Sequence, residues 1–178
     1  MIYASDYGDR ITSVLTGTVT PEGRDVVQSV NAADSSIHGV EAGADIELTD
    51  AFSLSAVLNY TWGEQRVEGM PMEPADRIPP LGGRLNIAYD PGGNFRVDGW
   101  LRFAGAQDRL SARDIQDVRI DPTGTSRWAI LGARASWVYR DWRFTLGLDN
   151  LLDKRYRTHG SGLDAPGHNL ILSVRRTW

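Results

Sequence analysis

Three histidines, His38, His159 and His168, are the residues best equipped for metal or acid–base chemistry in a chain that contains no cysteine. A metal centre needs ligands that converge on one point, and these three fall in separate segments, so rim histidines are the expected outcome. His159 and His168 flank one loop-forming stretch and are the pair that could touch a ligand such as haem. Asp114, Asp117 and Asp121 offer carboxylates for Ca²⁺ but lack the Asp-x-Asp-x-Asp-Gly order of a calcium loop, which favours a solvated acidic loop. Gly160-Ser161-Gly162 neither follows a strand nor opens a helix, as a phosphate or nucleophile loop must. No Ser/His/Asp set or carboxylate pair has a catalytic spacing. Catalytic, cofactor and metal assignments are therefore none, and an enzyme is not expected. The absence of cysteine excludes a disulfide framework, and a net charge of -4 without a Lys/Arg block argues against nucleic acid as a partner.

The elements that must position any site show a two-residue period. Trp142, Phe144, Leu146 and Leu148 alternate with Arg143, Thr145, Gly147 and Asp149. Phe95, Val97, Gly99, Leu101 and Phe103 alternate with Arg96, Asp98, Trp100 and Arg102. The same pattern runs through 40–48 and 52–62, and with more noise through 81–89, 129–139 and 168–178. Such alternation predicts half-buried strands. Eight are expected, at 2–15, 25–48, 52–66, 79–89, 94–106, 126–139, 142–156 and 165–178, the second with a bulge near Ala33-Asp34. No apolar run reaches the 18 or so residues of a membrane-spanning helix, whereas a barrel strand needs only about 9–11.

Short connections (48–52, 89–94, 139–142) alternate with long ones (17–24, 67–78, 107–125, 157–164). That sorting is the asymmetry of an outer-membrane β-barrel, with short periplasmic turns and long external loops. Phe52, Tyr89, Phe95, Trp137, Tyr139, Trp142 and Trp178 gather at the short-turn end, and Tyr60, Trp62 and Phe103 toward the other, as two aromatic girdles would. The opposite faces carry Glu41, Asp45, Glu47, Arg96, Asp98, Arg102, Arg134, Arg143 and Asp149. These either line a substrate path or form the paired polar wall that any barrel interior needs. The expected fold is an all-β, antiparallel transmembrane barrel of about eight strands.

Four phrases resemble the C-terminal part of the TonB-dependent outer-membrane receptor barrel. Asn31-Ala-Ala-Asp-Ser-Ser-Ile-His-Gly-Val-Glu41 is similar to the family's strand ending in Gly-Val-Glu, here Gly39, Val40 and Glu41, with Ala33 where Gly is usual. Arg77-Ile-Pro-Pro80 leads into a strand as it does in the family. Leu148-Asp-Asn-Leu-Leu-Asp-Lys-Arg-Tyr156 resembles Asn-Leu-Phe-Asp-Lys-x-Tyr through Asn150, Leu151, Asp153 and Tyr156, with Leu152 for Phe. Pro166-Gly-His to Trp178 resembles the closing strand, whose Leu170, Leu172, Val174 and Trp178 are similar to the signal read by the barrel-assembly machinery. Arg176 stands where the family prefers an aromatic.

The resemblance implies that 1–178 is a C-terminal portion of a 22-stranded barrel, with the plug domain and TonB-contacting box absent, in the bacterial outer membrane. The N-terminus shows no signal-peptide pattern, in line with a missing beginning. Implied function is active uptake of a siderophore, haem, cobalamin or similar nutrient. Implied partners are outer-membrane lipids, the assembly machinery, the rest of the receptor, a small nutrient ligand, and TonB only through the missing plug. The alternative is a self-contained eight-stranded barrel with a structural or adhesive role, although strands 2–15 and 165–178 are expected to close poorly.

Overall fold

The computed structural model describes residues 1–67 and 69–178, with side chains throughout except at 9, 10, 12, 31–33 and 67. Alternating side chains become antiparallel strands in chain order: β1 (Ile2–Val19), β2 (Asp25–Glu47), β3 (Phe52–Val67), β4 (Glu73–Pro74), β5 (Gly82–Tyr89), β6 (Phe95–Ala104), β7 (Trp128–Tyr139), β8 (Trp142–Asp149) and β9 (Asn169–Arg176). Each main strand pairs with its neighbour in sequence, giving the order β1-β2-β3-β5-β6-β7-β8-β9, with the two-residue β4 added to β3. Among the described residues β1 and β9 do not pair, so the sheet is an open, curved wall rather than a closed eight-stranded barrel.

The expected bulge is present: the β2–β3 register shifts between Ala32 and Asp34. The Asn31 and Ala33 side chains of the first family phrase lie outside the described residues. Several strand limits differ from expectation, and β1 runs on to Val19 rather than ending at 15. The strand expected over 142–156 stops at Asp149, because Asn150 adopts a left-handed φ of 51° and turns the chain. The segments expected from 79 and 165 begin at Gly82 and Asn169, since Pro79, Pro80 and Pro166 lack the N–H that a ladder needs. Missed entirely were β4 and a five-residue helix, α1 (Ala112–Gln116), capped by Ser111, whose Oγ accepts from the Asp114 N–H at 3.1 Å.

The wall has little interior. Buried apolar residues are Ala75, Ile78, Ala88, Ile120 and Ile130, mostly from the loops. One face is instead a continuous apolar band that includes Leu58, Leu85, Leu131, Leu146 and Leu172. An exposed apolar patch of that extent needs a non-aqueous neighbour. Packing is strongest between strands. Tyr3 lies opposite Gly39, Trp100 opposite Gly132, and Phe103 opposite Gly83. In each pair the ring covers the space where a Cβ would stand, a cross-strand arrangement that restores packing lost at glycine. Over Gly39, the Tyr3 hydroxyl reaches Thr61 Oγ1 at 2.7 Å, tying β1 to β3.

β5 to β9 run 8 to 12 residues, about the length that crosses a bilayer. β1, β2 and β3 run 18, 23 and 16 residues. Their surplus lies at the long-loop end, where β1 and β2 continue as a ribbon to the Thr20–Arg24 turn.

Candidate functional site

Residues facing the concave side of β5–β9 surround a hollow of about 630 Å³. Six arginines line it (Arg84, Arg96, Arg102, Arg134, Arg143 and Arg175) against two aspartates, Asp98 and Asp149. Asp98 is buried and takes Arg96 at 3.0 Å and Arg134 at 3.3 Å; Arg96 also reaches Asp90 at 3.2 Å. Arg84 lies over Trp100 with its guanidinium 5.6 Å from the ring centroid. Arg84, Arg102, Arg143 and Arg175 have no acidic partner among the described residues. The acidic members of the same face, Glu41, Asp45 and Glu47, are on β2, opposite Asn59, Ser55 and Ser53 of β3. The concave wall is thus divided by sign, acidic at one side and basic at the other. Arg84 and Arg175 went unnoticed in the sequence because their strands alternate less cleanly, though the register of β5 and β9 places them in phase with Arg102 and Arg143.

At the long-loop end two loops are locked together. The Gln65 side-chain amide donates to Asp76 at 2.9 Å and to Glu73 at 3.1 Å, holding 73–76 against β3. The Gln107 amide donates to the Ile78 carbonyl at 2.8 Å, and the Arg77 N–H to Asp114 at 3.1 Å. Arg77 also pairs with Asp117, which Arg119 binds from the other side at 2.7 Å. Asp114 and Asp117 are therefore not the solvated acids expected: Asp114 is 1% exposed and anchors the loop from 37 residues away. The hydrogen bonds of Arg119 and Arg77 hold the Asp117 carboxyl far below the ordinary carboxylate range. At Asp76 burial opposes ionisation, but bonds from Ser111, Gln65 and Arg113 outweigh it and lower its pKa. Asp121 binds its own neighbour Thr123 at 2.6 Å, as in a turn. Among the described residues no cluster of His, Cys, Asp or Glu has metal-binding geometry.

The histidines stay apart. His38 is exposed on β2. His159 Nδ1 meets Thr125 Oγ1 at 2.8 Å, joining the last loop to the locked pair, and burial lowers its pKa. His168 donates from Nε2 to the Leu151 carbonyl at 3.0 Å.

The two most specific family phrases meet in space. Asn150 is buried, its amide donating to the carbonyls of Lys154 (2.9 Å) and Pro166 (3.1 Å) while its oxygen accepts the Lys154 N–H (2.9 Å). Leu151 N–H bonds the Leu131 carbonyl at 2.9 Å, and Asp153 accepts the His168 N–H at 3.1 Å. Tyr156 packs on Trp128 with centroids 4.6 Å apart. Here Asn150, Asp153 and Tyr156 shape the path from β8 to β9. Gly39 supplies the close approach already described, Val40 points outward opposite Ile2 and Tyr60, and Glu41 faces the concave side. Leu170, Leu172 and Val174 form the outward row of β9, with Trp178 beyond its end. Trp62 carries the Arg109 guanidinium over its ring, 3.1 Å from the centroid.

A family model described as TonB dependent receptor-like, beta-barrel, matches residues 2–151. No curated protein matches the chain. Among solved structures, the copper transporter OprC is 22% identical, with a TM-score of 0.78 over 97% of this chain and 27% of its own. The ferric enterobactin receptor PfeA (a G324V mutant) of Pseudomonas aeruginosa is 17% identical, with a TM-score of 0.65 over 97% and 27%. The FrpB iron transporter of Neisseria meningitidis (F3-3 variant) is 15% identical, with a TM-score of 0.71 over 97% and 28%. The chain thus spans about a quarter of the length of the structures it matches.

Proposed function

This chain belongs to the TonB-dependent receptor-like β-barrel family, whose barrels are outer-membrane proteins, and from that premise we propose that it is the C-terminal barrel portion of an active uptake receptor. In this reading residues 1–178 are all barrel, and the plug and the TonB-contacting box lie outside them. Coupling to TonB then runs through that plug. The outward row Leu170, Leu172, Val174 and Trp178 serves the barrel-assembly machinery during insertion.

The observation that carries the reading is the divided concave wall. An unmatched charge in a partly desolvated site is costly, so a basic wall calls for an anion opposite it. Four arginines without acidic partners among the described residues suit a mobile anionic cargo, such as a metal held by a carboxylate or catecholate chelator. The ferric siderophore is the ligand class this supports best, ahead of haem, cobalamin or a bare metal cation. The self-contained barrel is disfavoured by the missing β1–β9 pairing.

The test is uptake by cells that carry or lack the whole receptor, using radiolabelled ferric chelates, haem, cobalamin and copper. Loss of uptake of an anionic ferric chelate is expected. Unchanged uptake of all four would sink the receptor reading, and loss of copper alone would sink the chelate assignment.

A further inference from the structure

On the outward face at the short-turn end two cations lie against aromatic rings. Arg176 lies opposite Trp142 in the β8–β9 register. Its guanidinium is 4.8 Å from the Trp178 ring centroid and 5.5 Å from that of Trp142. Arg140, in the β7–β8 turn, is 5.3 Å from the Tyr139 ring. Among the described residues neither forms an ion pair. The adjacent acid, Asp141, bonds through its backbone, its carbonyl accepting the Thr177 N–H at 2.8 Å.

Below this pair, toward the middle of the apolar band, is a dip of about 170 Å³. Ala135 leaves its floor low between Phe95, Trp137, Phe144, Leu146 and Leu172. Leu172 is four residues from Arg176 on β9, about 13 Å at the rise of a strand. Cations at an interface and an apolar trough behind them match the two ends of a lipid molecule.

We propose that this surface binds one anionic glycerophospholipid, its phosphate held by Arg176 and Arg140 and one acyl chain in the trough above Ala135. A guanidinium laid against an aromatic ring keeps its N–H edge free, and that edge matches two phosphate oxygens at once. Two cations that form no ion pair among the described residues favour a headgroup of net negative charge over a zwitterionic one. A soluble anion would use the arginines but not the trough. Arg140 also holds a φ of 53°, a conformation that glycine adopts more readily and that places this cation at the tip of the turn. The inference rests on the outward face meeting lipid.

The test takes the whole receptor, purified in mild detergent and stripped of lipid. It is titrated with phosphatidylglycerol or phosphatidylcholine of identical acyl chains, and retained lipid is counted by native mass spectrometry. Phosphatidylglycerol should be preferred about fivefold for each arginine engaged. Arg140→Gln with Arg176→Gln should abolish the preference while leaving heat-modifiable migration intact, and Ala135→Leu should weaken retention of both lipids. If the double variant does not fold, the wild type decides: its preference should collapse near 1 M salt, where the screening length falls to about 3 Å. Equal retention of the two lipids by the wild type, or a preference that survives the double substitution or the salt, overturns the site. Retention of neither lipid overturns the site and the lipid-facing assignment together.

Discussion

Asn150 is the residue whose replacement most directly tests how the β8–β9 connection is built. It makes three hydrogen bonds from a buried position, to Lys154 N, Lys154 O and Pro166 O, and holds a φ of 51°. Asn150→Ala removes all three bonds, each contributing about 1 kcal/mol net, and exchanges a residue that tolerates the left-handed region for one that tolerates it poorly, at a further cost of about 1 kcal/mol. The total is about 3–4 kcal/mol. Asn150→Gly loses the same bonds without the backbone penalty and should be milder than alanine by about 1 kcal/mol. Asn150→Asp tolerates the turn but sets a carboxylate oxygen against two carbonyls, so it should be no better than alanine. The expected order is Asn, then Gly, then Ala and Asp. Urea unfolding of the whole receptor in lipid vesicles gives the three differences. The Trp128 ring, packed against Tyr156, is a local fluorescence reporter when the other tryptophans are replaced. A glycine variant no more stable than alanine would refute the backbone part of the reasoning. All three variants within about 0.5 kcal/mol of wild type would refute the anchor itself.

Asp98→Asn leaves Arg96 and Arg134 facing each other without their shared anion; because both arginines are about half exposed, the loss should be about 1 kcal/mol. Adding Arg134→Gln should recover part of it in a double-mutant cycle, whereas strict additivity would show that the pair does not interact. Gly132→Ala puts a methyl where the Trp100 indole lies and should cost about 1–3 kcal/mol with a shifted Trp100 emission; an unchanged spectrum would contradict the packing. Burial lowers the His159 pKa, so the unfolded loop binds the proton more readily than the folded one. The stability of the 157–164 loop should therefore be full above about pH 6.5 and fall as pH drops through the lowered value. Faster amide exchange near Thr125 and His159 at about pH 5 than at pH 7.5, lost in His159→Gln, is the check. Asp117 has a linkage of the same sign, set lower on the pH scale. Its depressed pKa makes its ties to Arg77 and Arg119 stabilising above about pH 4 and lost only as pH falls through the folded value. Protease resistance of the 105–127 loop at pH 4 is the expected sign.

The strands were legible because a two-residue period is a local property. Trp142-Arg143-Phe144-Thr145 sorts itself into two faces with no knowledge of the partner strand, and the lumen set from Arg96 to Asp149 followed directly. The bulge between Ala32 and Asp34 was legible for the same reason: an extra residue breaks the period. The loops were not. Nothing near Asp114 in sequence announces that Arg77 will bury it, and Gln65 reads as an ordinary polar residue until Asp76 folds back onto it. The end of β8 was missed although the apolar period fails at Asn150, because a lost period does not by itself announce a left-handed turn, even at asparagine, which adopts one readily. Long-range hydrogen bonds decide such segments, and periodicity carries no record of them.

The ribbon formed by the outer halves of β1 and β2 has a practical consequence for display engineering. Its turn, Thr20–Arg24, is closed by two backbone bonds, Thr20 N–H to Arg24 O and Gly23 N–H to Thr20 O. Pro21 and Glu22 at its tip are exposed. A guest peptide spliced between them would meet no packing to disturb, and lengthening a loop costs only about 0.6 kcal/mol for each doubling. The wall below is held by its own ladders and girdles. An epitope inserted there should be presented well clear of the bilayer while the strands beneath keep their register.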